Sequence, residues 1–391
     1  MTFRILSFDG GGIRGVLSAR ILKEVERQIK EKTGQPLHEY FDMIAGTSTG
    51  SILTAGVANK LTADVIIELY KKQGKSIFPS QFRVPFLTDL KHGVIPGKGY
   101  KYSHEGLVNA LREQFGDTAI SKIESPIILI LAYDTLYRNT TFFTNCHPEL
   151  GERWFDTIPL WKICICSSSA PTFFPPYKLE PEQEVGKWEF PHIDGGVSAN
   201  NPSLAAISQA LSISQSKDVP EEVKQKYNLN NVQLEDISLL SIGTGQSGNP
   251  FTYEEVEKWS VLGLLSHLVD IFMEPKGEID SRVCMQLMGG LESDRYLRLQ
   301  FELNEKFAAK PGETWQDARQ RLAEKERKNK FTNKPLTEDM DDVSAIDSLI
   351  EAAEAFLDTG RTYYARANTL SMKAVDGPPV KEAIAKFIDA N

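Results

Sequence analysis

Apolar residues along this chain alternate between short continuous runs and longer segments of helical period. Apolar runs of about four to eight residues predict buried strands, and apolar residues at i, i+3, i+4 and i+7 predict amphipathic helices. The runs predict strands at residues 3–8, 41–45, 126–133, 140–144, 189–193, 237–243 and 296–301. The helical pattern predicts helices at residues 13–29, 61–74, 160–169, 256–272, 316–330 and 343–357, with two more beginning at Ser203 and near Val380. This alternation predicts an α/β fold with a mostly parallel sheet.

The second predicted strand ends abruptly in Gly46-Thr47-Ser48-Thr49-Gly50. This is the Gly-x-Ser-x-Gly pattern, in which a serine sits on a tight turn between a strand and a helix. Gly46 and Gly50 would let the backbone bend sharply and let a substrate approach the serine hydroxyl without meeting a Cβ. Because glycine, serine and threonine are also common in ordinary turns, the pattern alone leaves a plain turn equally open.

A glycine-rich segment joins the first predicted strand to the first predicted helix. Residues 9–15 read Asp-Gly-Gly-Gly-Ile-Arg-Gly, so unpaired N–H groups at the start of the helix would favour an anion. The segment fits GxGxxG, which would indicate a dinucleotide, but Gly46-Thr47-Ser48 stands where that interpretation requires an acid. The other interpretation is an oxyanion hole. Since parallel neighbouring strands end at one edge of a sheet, residues 10–12 and Ser48 are expected to meet there.

Three further features each allow two interpretations. Residues 76–101 form a long irregular segment rich in phenylalanine, which either forms a lipid-facing lip or acyl-chain channel or folds onto its own core. The predicted helix at 256–272 either contacts a membrane or packs into the core, and it carries few of the basic residues that interfacial helices usually have. The serines at 167–169 are interpreted as small residues at a close helix–sheet contact, with catalysis as the alternative.

The composition excludes several classes of protein. With 391 residues, of which 41% are hydrophobic and 25% charged, the chain is typical of a globular protein with a substantial core. A formal net charge of -9 argues against a nucleic-acid partner or a polybasic membrane anchor. The four cysteines have no metal-binding spacing and are expected to be buried reduced thiols.

No signal region and no apolar run of about 18 residues is found, so a cytoplasmic location is expected. Without repeats or a clear linker, residues 1–391 are predicted to form a single domain.

A serine hydroxyl needs a base to accept its proton before it attacks. In α/β-hydrolases the base is a histidine that follows the acid in the chain, and here only His267 follows Asp194. His267 falls within an apolar-faced predicted helix, whereas His192 would share a strand face with Asp194. Taken alone, Asp194 followed by two glycines is most typical of a turn. The candidate histidines are His38, His92, His104, His147, His192 and His267.

Three blocks of this sequence resemble, in order, the three blocks of patatin-like phospholipases. They are residues 9–15, residues 46–50 and Asp194-Gly195-Gly196. The chain is also similar to that family at residues 168–176, 200–202, 296–300 and 339–342. The resemblance covers nearly the whole chain and weakens in residues 307–335 and after about residue 357.

The resemblance implies a three-layer α/β/α fold, with helices on both faces of the sheet and a mostly helical part from about residue 303. It implies a metal-independent lipid acyl hydrolase without a cofactor, which cleaves fatty-acyl esters of membrane phospholipids or glycolipids through an acyl-enzyme. Peripheral membrane contact would accompany such a substrate. Two alternatives stay open: a storage or binding protein of this fold with little turnover, and an esterase with a Ser-Asp-His triad that uses His267.

The resemblance also implies a catalytic dyad in place of a triad, with Ser48 as the nucleophile and Asp194 as its general base. A free aspartate has a pKa of about 3.9 and is a weak base at neutral pH, but a partly dry site would raise that value. The implied oxyanion hole consists of N–H groups at Gly10, Gly11 and Gly12, with positive charge from Arg14. The motif glycines are Gly15, Gly46, Gly50, Gly195 and Gly196.

Overall fold

The structure is a computed structural model that describes residues 2–79, 100–180, 189–247, 251, 253–259, 268–290, 293–305, 312–314, 316–317, 320, 327–365 and 375–391. Its strands are β1 (Phe3–Phe8), β2 (Met43–Thr47), β3 (Ile127–Asp134), β4 (Asn139–Thr144), β5 (Tyr177–Leu179), β6 (Phe190–Asp194), β7 (Ile237–Ile242), β8 (Tyr296–Leu299), β9 (Arg361–Ala365) and β10 (Val375–Pro379). Its helices are α1 (Gly15–Thr33), α2 (Leu37–Tyr40), α3 (Thr49–Ala58), α4 (Ala63–Ile77), α5 (Glu105–Phe115), α6 (Leu160–Ser168), α7 (Gly196–Ala199), α8 (Ser203–Gln215), α9 (Glu221–Lys226), α10 (Tyr253–Val256), α11 (Leu268–Leu287), α12 (Ile346–Thr359) and α13 (Val380–Ala390).

Eight strands form one sheet in the order β5-β6-β3-β2-β1-β7-β8, with β4 also paired to β3. β1 is parallel to both of its neighbours, and the β2–β3 and β7–β8 pairs are parallel as well. The pairs β3–β4, β3–β6 and β5–β6 are antiparallel. The predicted α/β fold with a mostly parallel sheet is therefore confirmed.

Helices cover both faces of this sheet. Phe3 and Ile5 of β1 pack with α8 on one face, whereas Leu6 and Phe8 pack with α1 and α4 on the other. α11 adds Met285 to the first face, and α12 and α13 join the second. Because both faces are covered, the central strands are apolar at successive positions, which accounts for the continuous apolar runs in the sequence. This arrangement confirms the three-layer α/β/α fold.

The C-terminal part is mostly helical, as the resemblance implies, but it also contains two strands that the apolar pattern does not predict. α12 and α13 both pack against α1. β9 and β10 pair antiparallel in a separate two-stranded sheet. The prediction that residues 296–301 form the last strand is therefore wrong.

Two predicted helices differ from the structure. The helix predicted at 256–272 is interrupted, because α10 ends at Val256, residues 257–259 are not helical, and α11 begins at Leu268. α11 continues through Pro275, a residue that normally marks a helix end because it lacks an N–H group. The helix predicted at 316–330 does not reach its predicted end, since residues 327–329 are not helical. Among the helices that the structure describes, none has both the length and the apolarity to cross a bilayer.

All four cysteines are buried thiols outside any disulfide, as expected. Burial raises the pKa of the Cys146 thiol to about 11 and that of the Cys164 thiol to about 12. These side chains therefore remain protonated at neutral pH and pack as small apolar groups.

Candidate active site

Ser48 lies on the sharp turn between β2 and α3. Its backbone has φ 54° and ψ -125°, a conformation that L-residues adopt rarely and that is typical of a nucleophile elbow. The turn packs tightly against β1, because a Cβ at Gly50 would lie only 2.3 Å from the carbonyl oxygen of Phe8. Glycine at this position lets the elbow sit against the end of the central strand. Ser48 itself is 6% exposed and faces a cavity.

The pairing of β3 brings Asp194 to this turn. Along one edge of β3, β2 is paired up to Leu131, which lies opposite Thr47. From Ala132 onward β3 pairs with β6 instead, and Ala132 lies opposite Asp194. Since β4 occupies the other edge at these positions, β6 follows directly after the end of β2. Asp194 therefore lies one register position beyond the strand that delivers Ser48.

The Asp194 carboxyl group is fully buried, and burial raises its pKa to about 7. The nearby Ser48 hydroxyl and the N–H of Gly196 both oppose this rise, and the Gly196 N–H donates to Oδ1 at 2.7 Å. Oδ2 has no hydrogen-bond partner among the described residues. A carboxylate that titrates near pH 7 with one oxygen uncommitted has the properties of a general base.

The glycine-rich segment after β1 lies against the serine. A Cβ at Gly10 would lie 3.0 Å from the Cβ of Ser48. The N–H of Gly10 is already engaged, because it donates to the carbonyl of Asn200 at 3.0 Å. The N–H groups of Gly11 and Gly12 have no acceptor among the described residues, and both glycines line the cavity with Ser48. The N–H groups of Gly11 and Gly12 are therefore uncommitted among the described residues, whereas Gly10 permits the close approach.

The two charged residues that flank these glycines are both buried. The Arg14 guanidinium donates to the carbonyl of Glu338 at 3.4 Å, so it lies against the C-terminal part of the chain. Asp9 forms a bidentate ion pair with Arg298 of β8. Arg298 also donates to the Ser241 hydroxyl at 2.7 Å. The ion pair ties the end of β1 to β7 and β8. Sequence reasoning does not identify Arg298 as part of the site, although residues 296–300 belong to the family resemblance.

The remaining motif glycines mark close contacts of the backbone. A Cβ at Gly46 would lie 2.2 Å from the carbonyl oxygen of Gly50, and one at Gly195 would lie 2.2 Å from that of Leu131. A Cβ at Gly15 would lie 2.3 Å from the Thr49 hydroxyl. A larger residue at any of the three would move the elbow or the strand that carries Asp194.

A cavity of about 630 Å³, including its open mouth, begins at Ser48 and Asp194. Its walls are mostly apolar, and Phe78 and Phe174 stand in contact with ring centroids 5.8 Å apart. Phe78 lies in the described part of the phenylalanine-rich segment, whereas residues 80–99 of that prediction lie outside the described residues. The cavity is lined by Gly11, Gly12, Ile13, Ser48, Thr49, Ile52, Tyr70, Ile77, Phe78, Leu107, Ser168, Ala170, Phe173, Phe174, Asp194 and Met340.

The serines at 167–169 connect the two candidate catalytic residues. The Ser167 hydroxyl accepts the N–H of Ser48 at 2.8 Å and donates to the carbonyl of Leu131 at 2.6 Å. On the Asp194 side, the N–H of Asp194 donates to the carbonyl of Ser169 at 3.0 Å, and the N–H of Gly195 to that of Ser167 at 3.2 Å. The interpretation as close-packing residues is thus incomplete, because Ser167 also holds the strained serine turn in place.

We expect Ser167→Ala to lower kcat about tenfold with little change in KM. The substitution removes the acceptor of the Ser48 N–H and leaves a buried donor unpaired, which costs about 1–3 kcal/mol and loosens the elbow. Steady-state kinetics on a soluble ester would measure this, with Ser167→Thr as the control that keeps the hydroxyl. An unchanged kcat in Ser167→Ala would contradict a positioning role.

The described histidines do not act on this pair in the structure. His192 is buried on β6, where its ring nitrogens lie 2.9 Å from the Thr141 hydroxyl and 3.0 Å from the carbonyl of Phe190. His104 contacts the Ser169 hydroxyl at 2.9 Å, and burial lowers its pKa to about 4. Among the described residues no histidine nitrogen bonds to Ser48 or Asp194. The triad prediction with His267 falls outside the described residues and stays a prediction.

A serine on a strand–helix turn, next to a buried aspartate and a glycine-rich segment, is the arrangement expected of a hydrolase site on an α/β fold. The comparison with known families agrees with this class, because the model of the patatin-like phospholipases matches residues 6–207. This chain therefore belongs to the patatin-like phospholipase family, a family of lipid hydrolases.

Three relatives that this chain resembles come from plants. The chain is 30% identical over 318 residues to "Patatin-like protein 2" of Oryza sativa subsp. indica, and the alignment covers 76% of both proteins. It is 32% identical over 317 residues to "Patatin-like protein 1" of Arabidopsis thaliana, covering 75% of this chain and 73% of that one. It is also 32% identical over 316 residues to "Probable inactive patatin-3-Kuras 1" of Solanum tuberosum, covering 76% and 78%.

Proposed function

We propose that this protein is a metal-independent lipid acyl hydrolase that cleaves fatty-acyl esters of phospholipids or glycolipids with a Ser48–Asp194 dyad. The observation that carries the proposal is the state of Asp194. Its carboxyl group is buried, has a pKa of about 7, and keeps Oδ2 without a partner among the described residues. A base of this kind at the nucleophile elbow removes the need for a histidine.

In the proposed first half-reaction the Ser48 hydroxyl oxygen attacks the ester carbonyl carbon while Asp194 Oδ2 accepts the serine proton. The carbonyl oxygen becomes an oxyanion that accepts hydrogen bonds from the N–H groups of Gly11 and Gly12, which lie at the same cavity wall. The tetrahedral intermediate then collapses, and the leaving alcohol or lysolipid takes the proton back from Asp194. The acyl group remains on Ser48 as an ester.

In the second half-reaction water replaces the alcohol. Asp194 accepts a proton from the water as its oxygen attacks the acyl carbon, and it returns that proton to the Ser48 oxygen when the acyl–oxygen bond breaks. The products are a fatty acid and the free serine. The Asp194 carboxyl group accepts and returns the proton in both half-reactions, and a group with a pKa close to neutral pH can do both.

The cavity supports a fatty-acyl group as the part of the substrate that is bound. Apolar side chains such as Ile52, Leu107 and Phe173 line it together with Ser48 and Asp194. A long hydrocarbon chain would lose water on entry, and its ester group would lie at Ser48. The proposal includes peripheral contact with the membrane that supplies the lipid, and a cytoplasmic location.

One relative, named "Probable inactive patatin-3-Kuras 1", favours a second candidate, a storage or binding protein of the same fold. The test is lipid mass spectrometry after the purified protein is incubated with a mixed membrane-lipid extract. We expect free fatty acids and lysolipids, unchanged by EDTA and abolished by prior labelling with a fluorophosphonate. Intact lipids together with an unlabelled protein would favour the storage candidate. A loss of activity in His267→Ala as complete as in Asp194→Ala would favour the triad.

A further inference from the structure

Three consecutive serines, at positions 167, 168 and 169, end helix α6 and begin the turn after it. The outer two have partners for their hydroxyl groups. Ser167 bonds to Ser48 and Leu131, and Ser169 donates to the carbonyl of Ile165 at 2.7 Å and contacts His104. The Ser168 hydroxyl has no hydrogen-bond partner among the described residues.

Ser168 is nevertheless buried, with 8% of its surface exposed, and it lines the cavity together with Ser48 and Asp194. A buried hydroxyl without a partner is costly, so such a group in a native structure calls for an explanation. Asp194 Oδ2 is also buried without a hydrogen-bond partner among the described residues, and Asp194 lines the same cavity. Two uncommitted polar atoms, a hydroxyl oxygen and a carboxylate oxygen, thus belong to residues that line the same cavity.

The backbone fixes Ser168 relative to both catalytic residues. The residue before it holds the Ser48 N–H at 2.8 Å, and the residue after it holds the Asp194 N–H at 3.0 Å. Its own carbonyl accepts the N–H of Ala170 at 2.9 Å, which closes the turn. Ser168 therefore cannot move without moving the nucleophile elbow or the end of β6.

We propose that Ser168 is a catalytic residue of deacylation, whose hydroxyl oxygen and Asp194 Oδ2 together hold the water that hydrolyses the acyl-enzyme. The proposal rests on the function proposed above and assigns the second half-reaction to a residue outside the dyad. A water between the two groups would satisfy both of them.

The chemistry requires a water with a lone pair aimed at the acyl carbon. One of its protons donates to Asp194 Oδ2 and the other to the Ser168 oxygen, which leaves a lone pair free for attack. As the new carbon–oxygen bond forms, Asp194 takes the first proton, and it delivers that proton to Ser48 when the ester bond breaks. Ser168 keeps its own proton throughout and only orients the water.

The test separates acylation from deacylation with a p-nitrophenyl ester of a fatty acid. We expect Ser168→Ala to release nitrophenol in a first turnover at a rate within about twofold of wild type. Its steady-state rate should fall about tenfold, because the water is no longer held by two groups. Intact-protein mass spectrometry during turnover should accordingly show acylated protein accumulating in the variant.

Ser168→Thr and Ser168→Val form a matched pair, since both add the same bulk and only threonine keeps the hydroxyl. We expect threonine to retain the deacylation rate within about threefold and valine to behave like alanine. Equal losses in both, or acylation and deacylation slowed together in Ser168→Ala, would overturn the proposal in favour of a structural role. An unchanged Ser168→Ala with active wild type would overturn it and leave the proposed function intact, whereas an inactive wild type would overturn both.

Discussion

Ser48→Ala should lose ester hydrolysis by about 10⁴-fold or more and should no longer react with a fluorophosphonate. The variant keeps the proposed oxyanion donors and the cavity but has no atom to carry the acyl group, and serine hydrolases without the nucleophile retain only weak residual catalysis. The methyl side chain fits the turn, so the variant should fold. Rates on a soluble ester and on phospholipid vesicles, with melting curves as the folding control, measure this.

A Ser48→Ala variant that hydrolyses lipid within about tenfold of wild type would mean that another residue is the nucleophile. Ser168, which lines the same cavity, would then be the first candidate. Ser48→Thr is a useful companion, because it retains a hydroxyl but adds a β-branch at a residue with φ 54°. Such strain is costly for a β-branched residue, and we expect this variant to lose both activity and stability.

Asp194→Asn should lower kcat by about 10³-fold or more while it preserves the shape of the site. Asparagine can still accept the Gly196 N–H that Asp194 Oδ1 accepts at 2.7 Å, but it cannot take the proton of Ser48. Activity measurements between pH 5 and pH 9 would test this, with fluorophosphonate labelling as a second readout. Activity within about tenfold of wild type would contradict the role of Asp194 as base.

The pH profile of the wild type follows from the same carboxyl group. Since burial raises its pKa to about 7, kcat/KM should rise with pH through that value and level off above it. At low pH the carboxyl is protonated and cannot act as a base. A profile with its rising limb near pH 4 would indicate a base with an ordinary aspartate pKa.

The raised pKa also has a consequence for stability. An acid whose pKa rises from 3.8 in the unfolded chain to about 7 in the fold binds its proton more tightly when folded. The buried carboxyl group therefore does not destabilise the fold below pH 3.8, where it is protonated in both states. The destabilisation grows as pH rises towards 7, where it amounts to roughly 4 kcal/mol at most. Asp194→Asn should be more stable than wild type at pH 8, and this difference should shrink at pH 5. Denaturant titrations at the two pH values would measure it.

The meeting of Ser48 with the glycine segment could be predicted from the sequence, because both follow strands that are parallel neighbours. Each strand is a continuous apolar run, so the carboxyl ends could be placed at one edge without knowledge of the sheet order. The approach of Asp194 could not be derived in this way. It depends on the antiparallel β6, which pairs with β3 only beyond Leu131, where β2 ends. Only the family resemblance pointed to it.

Other parts of the site depend on long-range contacts that a local pattern does not contain. The Arg298–Asp9 ion pair joins residues 289 positions apart, and the carbonyl of Met340 accepts the N–H of Ile13 at 2.8 Å. In each contact one partner, Arg298 or Met340, lies beyond residues 6–207, the part of the chain that the family model matches. Helix α5 could have been predicted from the sequence, because Leu107, Leu111 and Phe115 recur at a spacing of four. The full length of α11 could not, because Pro275 predicts a helix end.

The most direct measurement of the central claim is the identification of the acyl-enzyme. Wild-type protein would be mixed with a fatty-acyl ester, quenched in acid within the first turnovers, digested, and analysed by peptide mass spectrometry. We predict the mass of the fatty acyl group on the peptide that contains Ser48, and its absence when the acid-quenched sample is prepared from Ser48→Ala. An acyl group on a different residue, or hydrolysis that proceeds with no acylated peptide in wild type or in Ser168→Ala, would contradict a mechanism that passes through Ser48.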